Sequence, residues 1–361
     1  MVEARLRVPD EIAVRVHAGA MRGTIVEIFR ALGMSAADAR QSADVLIWAD
    51  LRGIETHGAS NMMPAYVRGL REGTINPKPE LRVLREAGAT ATVDNDSGLG
   101  LAVGPKLMRM AIAKARNHGI GAVTAAHGRH FGAAGYHAWL ALEHDMIGIA
   151  MTVGGLSVAP TFGSQAMVGL NPLAVAVPAE REPPFVFDAS MSSVAGNKIR
   201  LAKRLGATVP GGWVADADGT PRMNESEVTD DYLMLPLGGT RTIGSHKGFS
   251  LAMMVDVLSG LLAGTGPGFQ AKRDVSHHFL AYRIDAFTDS GGFKTQMDIY
   301  LRGLQDTPPA PGEARVVYAG LQSHENELER RQRGIPYHPE VVAYYRELAA
   351  ELGFQDRLEG D

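Results

Sequence analysis

The chain has 361 residues, which suffices for one large domain or two ordinary ones, and it contains no cysteine. Disulfides, thiolate nucleophiles and cysteine-based metal sites are therefore excluded. The net charge is −4, and charged residues of both signs are interspersed, so no basic face indicates binding to nucleic acid or to an anionic membrane.

The first ten residues lack the apolar core of a signal peptide. The longest apolar segment, residues 250–264, is short for a membrane span and contains Asp256. We therefore expect a cytoplasmic protein that has no membrane partner.

The first 80 residues predict helices. Apolar residues recur at helical spacing between residues 10 and 51, and a further helix is predicted over residues 62–72. The Pro-rich segment 75–79 marks a domain boundary near residue 80.

Beyond residue 80, strand-like and helical segments alternate, which predicts an α/β fold with a sheet covered by helices. The strands are predicted at 90–93, 120–125, 147–153, 174–177 and 185–187, and the helices at 104–117, 133–144, 192–205 and 249–262. Residues 326–352 form a helical segment interrupted at 334–336, and we expect it to return to the N-terminal helices. Residues 1–80, completed by about 300–361, would then form a helical domain beside an α/β domain over 81–299.

Residues 124–139 carry the most informative pattern, because a strand end leads through glycines and two histidines into a helix. Free N–H groups at a helix start suit an anion. His127 and His130, with Arg129 between them, add titrating groups and a fixed cation to the same loop. His57 lies similarly, just before the helix predicted to begin at residue 62.

Two further positions indicate a ligand. Asp188 ends an apolar strand, where it could accept hydrogen bonds from a ribose diol or cap the helix that follows; both interpretations are open. Lys247 lies among glycines at the start of an apolar helix, where a cation opposes the helix dipole, so we expect an anionic ligand there.

Two other patterns do not indicate a site. Gly98-Leu-Gly-Leu-Ala-Val-Gly104 is one residue too long for a dinucleotide fingerprint. His277 and His278 are strand neighbours that face opposite sides, so we expect no metal site from them.

Six motifs, in this order, resemble the type 2 malate/L-lactate dehydrogenases, an NAD(P)-dependent family that includes ureidoglycolate and sulfolactate dehydrogenases and reductases of cyclic imino acids. They are Thr56-His-Gly58, His130-Phe-Gly-Ala-Ala-Gly-Tyr136, Gly169-Leu-Asn-Pro172, Asp188-Ala-Ser190, Pro236-Leu-Gly-Gly239 and His246-Lys-Gly248. The resemblance implies a non-Rossmann, sulfolactate-dehydrogenase-like fold, with a helical N/C-terminal domain and a mixed-sheet α/β cofactor domain. It also implies a homodimer that transfers hydride between nicotinamide and a small 2-hydroxy acid, or a ureido or imino acid relative.

Carried over residue by residue, the resemblance makes His57 the proton donor and acceptor, with Thr56 orienting it, and His130 an alternative base. It implies no metal. The cofactor contacts that it implies are His130, Phe131, Gly132, Ala133, Ala134, Asp188, Ala189, Ser190, Lys247 and Gly248.

Two departures from the family bear on the substrate. Asn61 stands where an Arg usually binds the substrate carboxylate, and Leu170, before Asn171, replaces a Thr that can touch substrate. Either Arg68 or Arg129 reaches the carboxylate instead, or the substrate is less acidic or larger than malate. Residues 318–325 lack the arginines that NADP users carry there, which favours NAD, with NADP possible.

Two alternatives to a dehydrogenase stay open. The first is a metal-dependent hydrolase or lyase that uses His57, His127, His130 and Asp188. The second is a homologue that binds the cofactor without catalysis, marked by the changes at positions 61 and 170.

Overall fold

The computed structural model describes residues 8–204, 206–271 and 274–358. In chain order the strands are β1 (Val14–Val16), β2 (Arg82–Ala87), β3 (Thr90–Asp94), β4 (Ile120–Gly128), β5 (Met146–Val153), β6 (Leu173–Val177), β7 (Phe185–Ala189), β8 (Val214–Ala215), β9 (Leu233–Met234), β10 (Val275–Arg283) and β11 (Ile335–Tyr337). The helices are α1 (Ala18–Ala31), α2 (Ala36–Leu51), α3 (Ala59–Arg71), α4 (Gly100–His118), α5 (Ala134–Trp139), α6 (Gly196–Arg204), α7 (Ser245–Asp256), α8 (Ser290–Gln305), α9 (Leu321–Arg333) and α10 (Pro339–Glu351).

The two ends of the chain pack together. Strands β1 and β11 pair antiparallel, and side chains of α1, α2 and α10, such as Phe29, Leu46 and Tyr345, share one buried cluster. The predicted return of the C-terminal segment to the N-terminal helices is thus confirmed. The division into domains at residues 80 and 299 stays a prediction.

A seven-stranded sheet with the order β2-β3-β4-β10-β5-β6-β7 forms the centre of the molecule. Strands β3 and β4 are parallel, and the other neighbours are antiparallel. Side chains alternate between the two faces, so Ala150 belongs to the cluster under α4 and α5, whereas Met151 belongs to the cluster under α6 and α7. The sheet is mixed, as predicted, and its order is not that of a Rossmann fold.

Several predicted helix boundaries were wrong, including the starts of α4 and α9, which begin at Gly100 and Leu321. The helix predicted to reach residue 144 ends at Trp139, because Gly148 of β5 lies directly against the Ala138 carbonyl and the chain must turn at Asp145, whose φ is 51°. The helix predicted from residue 192 begins at Gly196. The helix predicted over 249–262 is α7, which begins at Ser245 and continues as a π-helix, Val257–Leu261.

Across the part of the chain that the structure describes, no helix combines the length and the apolar character that crossing a bilayer requires.

Candidate active site

His57 lies at the end of a short 3₁₀ helix, Glu55–His57, between α2 and α3. The following residue must be glycine, because a Cβ at Gly58 would lie 1.7 Å from Oδ1 of Asp50 on α2. The Thr-His-Gly motif therefore encodes a tight turn, packed on a buried carboxyl group, that presents His57.

The C-terminal segment holds this turn in place. The buried Asp50 carboxylate accepts hydrogen bonds from the Ala59 N–H at 2.9 Å and the Tyr337 hydroxyl at 2.8 Å. Arg330 donates to the Asp50 carbonyl at 2.6 Å and to the Glu55 carboxylate at 2.7 Å. Burial raises the pKa of Asp50 to about 7, against the smaller opposing effect of the Tyr337 hydrogen bond. The position of His57 thus depends on residues more than 270 positions away.

His130 lies in the loop between β4 and α5. Its Nδ1 accepts a hydrogen bond from the Gly132 N–H at 3.3 Å and lies 2.8 Å from the Tyr66 hydroxyl of α3. Because a backbone N–H can only donate, Nδ1 is an acceptor, and the neutral ring carries its proton on Nε2. His130 is therefore held as a hydrogen-bond donor at its free nitrogen.

The two imidazole rings stack, with centroids 5.6 Å apart and planes inclined by 13°. Both side chains are half-buried, so the pair is reachable from outside. Burial, and secondarily the charge of Arg200, lowers the pKa of His57 to about 4. Burial, and secondarily the neighbouring His57, lowers the pKa of His130 to about 3. Both rings are therefore neutral at pH 7.

Thr56 and Asn61 both support the turn. The Thr56 hydroxyl lies 2.9 Å from Nδ1 of His57, which is the contact expected of an orienting residue. The Asn61 amide donates to the Glu55 carbonyl at 2.8 Å. The roles of Thr56 and Asn61 toward a substrate stay predictions.

Asp188 joins two of the predicted cofactor segments. Its Oδ2 accepts a hydrogen bond from the Gly135 N–H at 2.7 Å, so it caps α5 and not the helix that follows it in sequence. Segment 130–134 and segment 188–190 are thereby brought together. Burial raises the pKa of Asp188 to about 6, partly offset by the Gly135 hydrogen bond.

Lys247 lies in the first turn of α7, where its side chain is exposed. The Leu237 N–H of the preceding loop donates to the Met191 carbonyl at 3.0 Å, which places the start of α7 beside the segment after Asp188. Gly248 allows this packing, because a Cβ there would lie 2.2 Å from the Leu237 carbonyl oxygen.

Arg129 is occupied away from the histidine pair. Its guanidinium donates to the Thr74 carbonyl at 2.6 Å, to the Asp274 carboxylate at 2.6 Å and to the Ser97 hydroxyl at 3.0 Å. This arrangement gives Arg129 the structural role of joining three loops, and its contact with a substrate carboxylate stays a prediction.

Asn171 and Leu170, two further residues predicted to contact the substrate, have different surroundings. Asn171 is fully buried, and its amide donates to the Ala252 carbonyl of α7 at 2.9 Å, so it fixes the backbone, while its contact with a substrate stays a prediction. Leu170 is half-buried, and its Cδ1 lies 3.8 Å from the position of a Cβ at Gly196, the first residue of α6. Leu170 therefore lies beside the start of α6, and its contact with a substrate stays a prediction.

His127 lies apart from the other histidines of the predicted metal cluster. Its exposed ring has Nδ1 3.3 Å from the Asp94 carboxylate. In residues 8–204, 206–271 and 274–358, no group of three or more His, Asp or Glu side chains could hold a metal ion. The metal-dependent hydrolase or lyase thus receives no support from the described side chains.

Two residues that the sequence reasoning missed lie beside the His57 turn. Asn197 of α6 donates to the Thr56 carbonyl, and Arg200 donates to the Asn197 side-chain oxygen. No local pattern signals this, because polar residues on an amphipathic helix are typical of a solvent-facing surface.

Comparisons with known proteins agree with this arrangement. A family model described as malate/L-lactate dehydrogenase matches residues 16–345. The malate dehydrogenase of Pyrococcus abyssi is 36% identical over 351 residues, covering 95% of this chain and 96% of that protein. The L-sulfolactate dehydrogenase of Methanocaldococcus jannaschii is 33% identical over 337 residues, covering 91% and 94%. The solved structure of malate dehydrogenase from Pyrococcus horikoshii matches with a TM-score of 0.89 at 33% identity, covering 97% of this chain and 99% of that chain. These matches confirm the predicted fold class.

Proposed function

The chain belongs to the malate/L-lactate dehydrogenase family, and from this premise we propose that His57 carries the proton of its reaction. The protein is a hydroxy acid dehydrogenase, and a nicotinamide cofactor is implied by the family. The observation that carries the proposal is the stacked, half-buried and neutral pair of His57 and His130.

The two rings have different proton arrangements, and this favours His57 over His130 as the base. Nδ1 of His130 already accepts from Gly132, and its Nε2 bears the proton, so neither nitrogen is free to accept another. In His57, an Nδ1–H that donates to the Thr56 hydroxyl oxygen leaves a lone pair on Nε2. Nε2 of His57 is then the proton acceptor, and His130 donates a hydrogen bond to the substrate oxygen.

Oxidation of a 2-hydroxy acid releases a hydride from carbon and a proton from the hydroxyl group. Neutral His57 takes that proton as the hydride leaves, and protonated His57 returns it in the reduction of the 2-oxo acid. Because the pKa of His57 is lowered to about 4, the base form prevails at neutral pH in the free enzyme. The free enzyme is thus prepared for the oxidation direction.

The residues beside the histidine pair fit a nicotinamide dinucleotide, which would supply the hydride acceptor. Asp188 offers a carboxylate for hydrogen-bond donors such as ribose hydroxyls, next to Ala189 and Ser190. Lys247 offers an exposed cation for a diphosphate at the start of α7. Residues 130–134, with Gly132 at a φ of 78°, directly precede Gly135, whose N–H donates to Asp188.

We propose NAD rather than NADP as the cofactor. The Val186 N–H of β7 donates to the Ala319 carbonyl at 2.9 Å, so segment 318–320 lies next to the strand that carries Asp188. No arginine occurs in residues 318–325, and the nearby Arg315 is paired with Glu325, with one N–O distance of 2.6 Å. A cation for a 2′-phosphate is therefore missing on this side.

A cytoplasmic location stays a prediction.

We further propose that the working enzyme is a homodimer joined through α7 and its π-helical extension. Six large apolar side chains of this segment are exposed, and exposed apolar residues grouped on one element are typical of an association surface. They are Leu251, Met253, Met254, Val257, Leu261 and Leu262. Light scattering should give twice the mass of one chain for the wild type and the mass of one chain for Leu261→Asp. A monomeric wild type would contradict the dimer.

The test of the function is a titration of the protein with NADH and NADPH, followed by energy transfer from tryptophan. Trp48 is a suitable donor, because its ring lies 3.1 Å from the position of a Cβ at Gly135, beside Asp188. The tighter cofactor is then offered with 2-oxo acids and cyclic imino acids. We expect binding of NADH and turnover of at least one 2-oxo acid. Failure to bind either nucleotide would overturn the proposal.

A further inference from the structure

A 2-hydroxy acid carries a carboxylate, and its recognition calls for a cation near the histidine pair. Position 61 of α3 holds an uncharged Asn whose amide is bonded to Glu55. The guanidinium of Arg129 already donates hydrogen bonds to acceptors in three loops. Arg68 lies two residues beyond Tyr66 on α3, about 200° around the helix from the side that faces His130. These three positions thus leave the carboxylate without a partner.

Helix α6 packs against the His57 turn and supplies a cation there, Arg200. Asn197 donates to the Thr56 carbonyl, directly before His57, and lies 3.6 Å from the Met62 sulfur, directly after Asn61. Arg200, one helical turn further along α6, donates to the Asn197 side-chain oxygen. The Arg200 guanidinium is therefore two hydrogen bonds away from the backbone that carries His57.

The same end of α6 borders the other predicted substrate position. Gly196 lies beside Leu170, where the family usually has Thr, and Met191 at the start of the intervening loop donates its N–H to the Leu170 carbonyl at 2.8 Å. Leu170, Asn197 and Arg200 thus group around the start of α6, and Asn197 joins this group to the His57 turn. This group pairs an apolar side chain with a cation.

We propose that Arg200 binds the substrate carboxylate and takes over the role that an arginine at position 61 has in the family. The inference rests on the proposed function, and it names the residue that selects acids over uncharged substrates. Arg200 is exposed, and among the described residues it has a neutral amide as its partner and no carboxylate in an ion pair. Its planar fork of donors is free to exchange Asn197 for a carboxylate with two parallel hydrogen bonds.

The charge of Arg200 acts on both histidines, which is consistent with a position facing the pair. It lowers the pKa of His57 and, as the smallest of five effects, that of His130. A bound carboxylate would neutralise this charge, so substrate binding should raise the pKa of His57. Arg200 would thereby connect recognition of the acid to the proton affinity of the base.

The test compares Arg200→Ala and Arg200→Lys with the wild type, using the 2-oxo acid that is reduced best and its uncharged primary amide. Arg200→Ala should raise KM for the acid by about tenfold to hundredfold and leave KM for the amide unchanged. Arg200→Lys should recover part of the difference, because it restores the charge but not the fork. The matched control is Lys203→Ala, which removes another exposed cation of α6. Because Lys203 pairs with Asp230, this variant should keep the wild-type KM for the acid.

Binding of oxamate, a non-reacting 2-oxo acid analogue, separates this inference from the proposed function. Oxamate is titrated with and without NADH, and the C2–H resonances of the histidines are followed. Loss of binding in Arg200→Ala supports the inference even if no turnover is found, whereas absent turnover in the wild type contradicts only the proposed function. Equal oxamate binding by Arg200→Ala and wild type, or no binding by the wild type, would overturn the role of Arg200.

Discussion

Two stacked groups of histidines lie side by side in this molecule, and they differ in what surrounds them. His57 and His130 form a half-buried pair whose partners are hydroxyl groups and a backbone N–H. His137 and His277 are fully buried and stack on either side of Phe131, with ring centroids 4.5 and 4.8 Å from it.

Burial lowers the pKa in both groups, to about 4 for His57 and His137 and to about 3 for His130 and His277. A lowered pKa therefore does not identify the catalytic pair. The difference lies in access, since only a ring that a ligand can reach can exchange a proton with it. The neighbours His130 and Phe131 belong to different groups. His130 contacts Tyr66 of α3 in the accessible pair, whereas Phe131 lies in the core between the two buried histidines.

The largest effect is expected from removing the accessible base. His57→Ala should lower turnover by about 10² to 10⁴, which is the usual contribution of a general acid or base. Cofactor binding, measured by energy transfer from tryptophan to NADH, should stay nearly unchanged. If turnover persists in His57→Ala, His130 becomes the candidate base.

Removing a core histidine should affect stability instead of chemistry. His137 Nε2 donates to the Phe131 carbonyl at 2.8 Å inside the core. His137→Ala leaves a cavity and an unpaired carbonyl, so the free energy of unfolding should fall by about 2–4 kcal/mol. Urea unfolding at pH 7 measures this loss, with His57→Ala as the comparison, for which we expect a change below about 1 kcal/mol. Equal losses in both variants would remove the distinction between the two groups.

A smaller effect is expected from the pH dependence of cofactor binding. The pKa of Asp188 is raised to about 6, so its carboxylate is mostly ionised at pH 7 and mostly protonated at pH 5. If ribose hydroxyls donate to the ionised form, the Kd for NADH should increase about tenfold from pH 7 to pH 5. Asp188→Asn should bind more weakly at pH 7 and show a flat profile. A wild-type profile that is already flat would contradict the role of Asp188.

The sequence predicted those parts of the site that depend on neighbouring residues. The His57 turn could be predicted because a histidine followed by a glycine and a helix start is a local pattern, and the structure shows that Gly58 is required by the approach of Asp50. Asp188 was correctly placed at the end of its strand. Its partner, the Gly135 N–H, could not be predicted, because the two residues belong to elements 53 positions apart.

Non-local contacts account for what was missed. Strand β10 inserts between β4 and β5 from more than 120 residues away, which a pass along the chain does not reveal. Arg129 was one of two arginines predicted to reach the substrate carboxylate, and its acceptors at positions 74, 97 and 274 could not be predicted because they are distant in sequence. Arg200 was overlooked because the sequence of its helix resembles that of an ordinary solvent-facing helix.

The central claim is that His57 exchanges a proton with the substrate, and chemical rescue tests it most directly. Imidazole is added to His57→Ala while the rate of NADH oxidation by a 2-oxo acid is recorded. Removal of the partly accessible His57 ring leaves room for the free base, so turnover should increase with imidazole concentration and saturate, whereas imidazole should leave the turnover of His137→Ala unchanged. A His57→Ala enzyme that works at the wild-type rate without imidazole, or whose loss imidazole does not reduce, would contradict the claim.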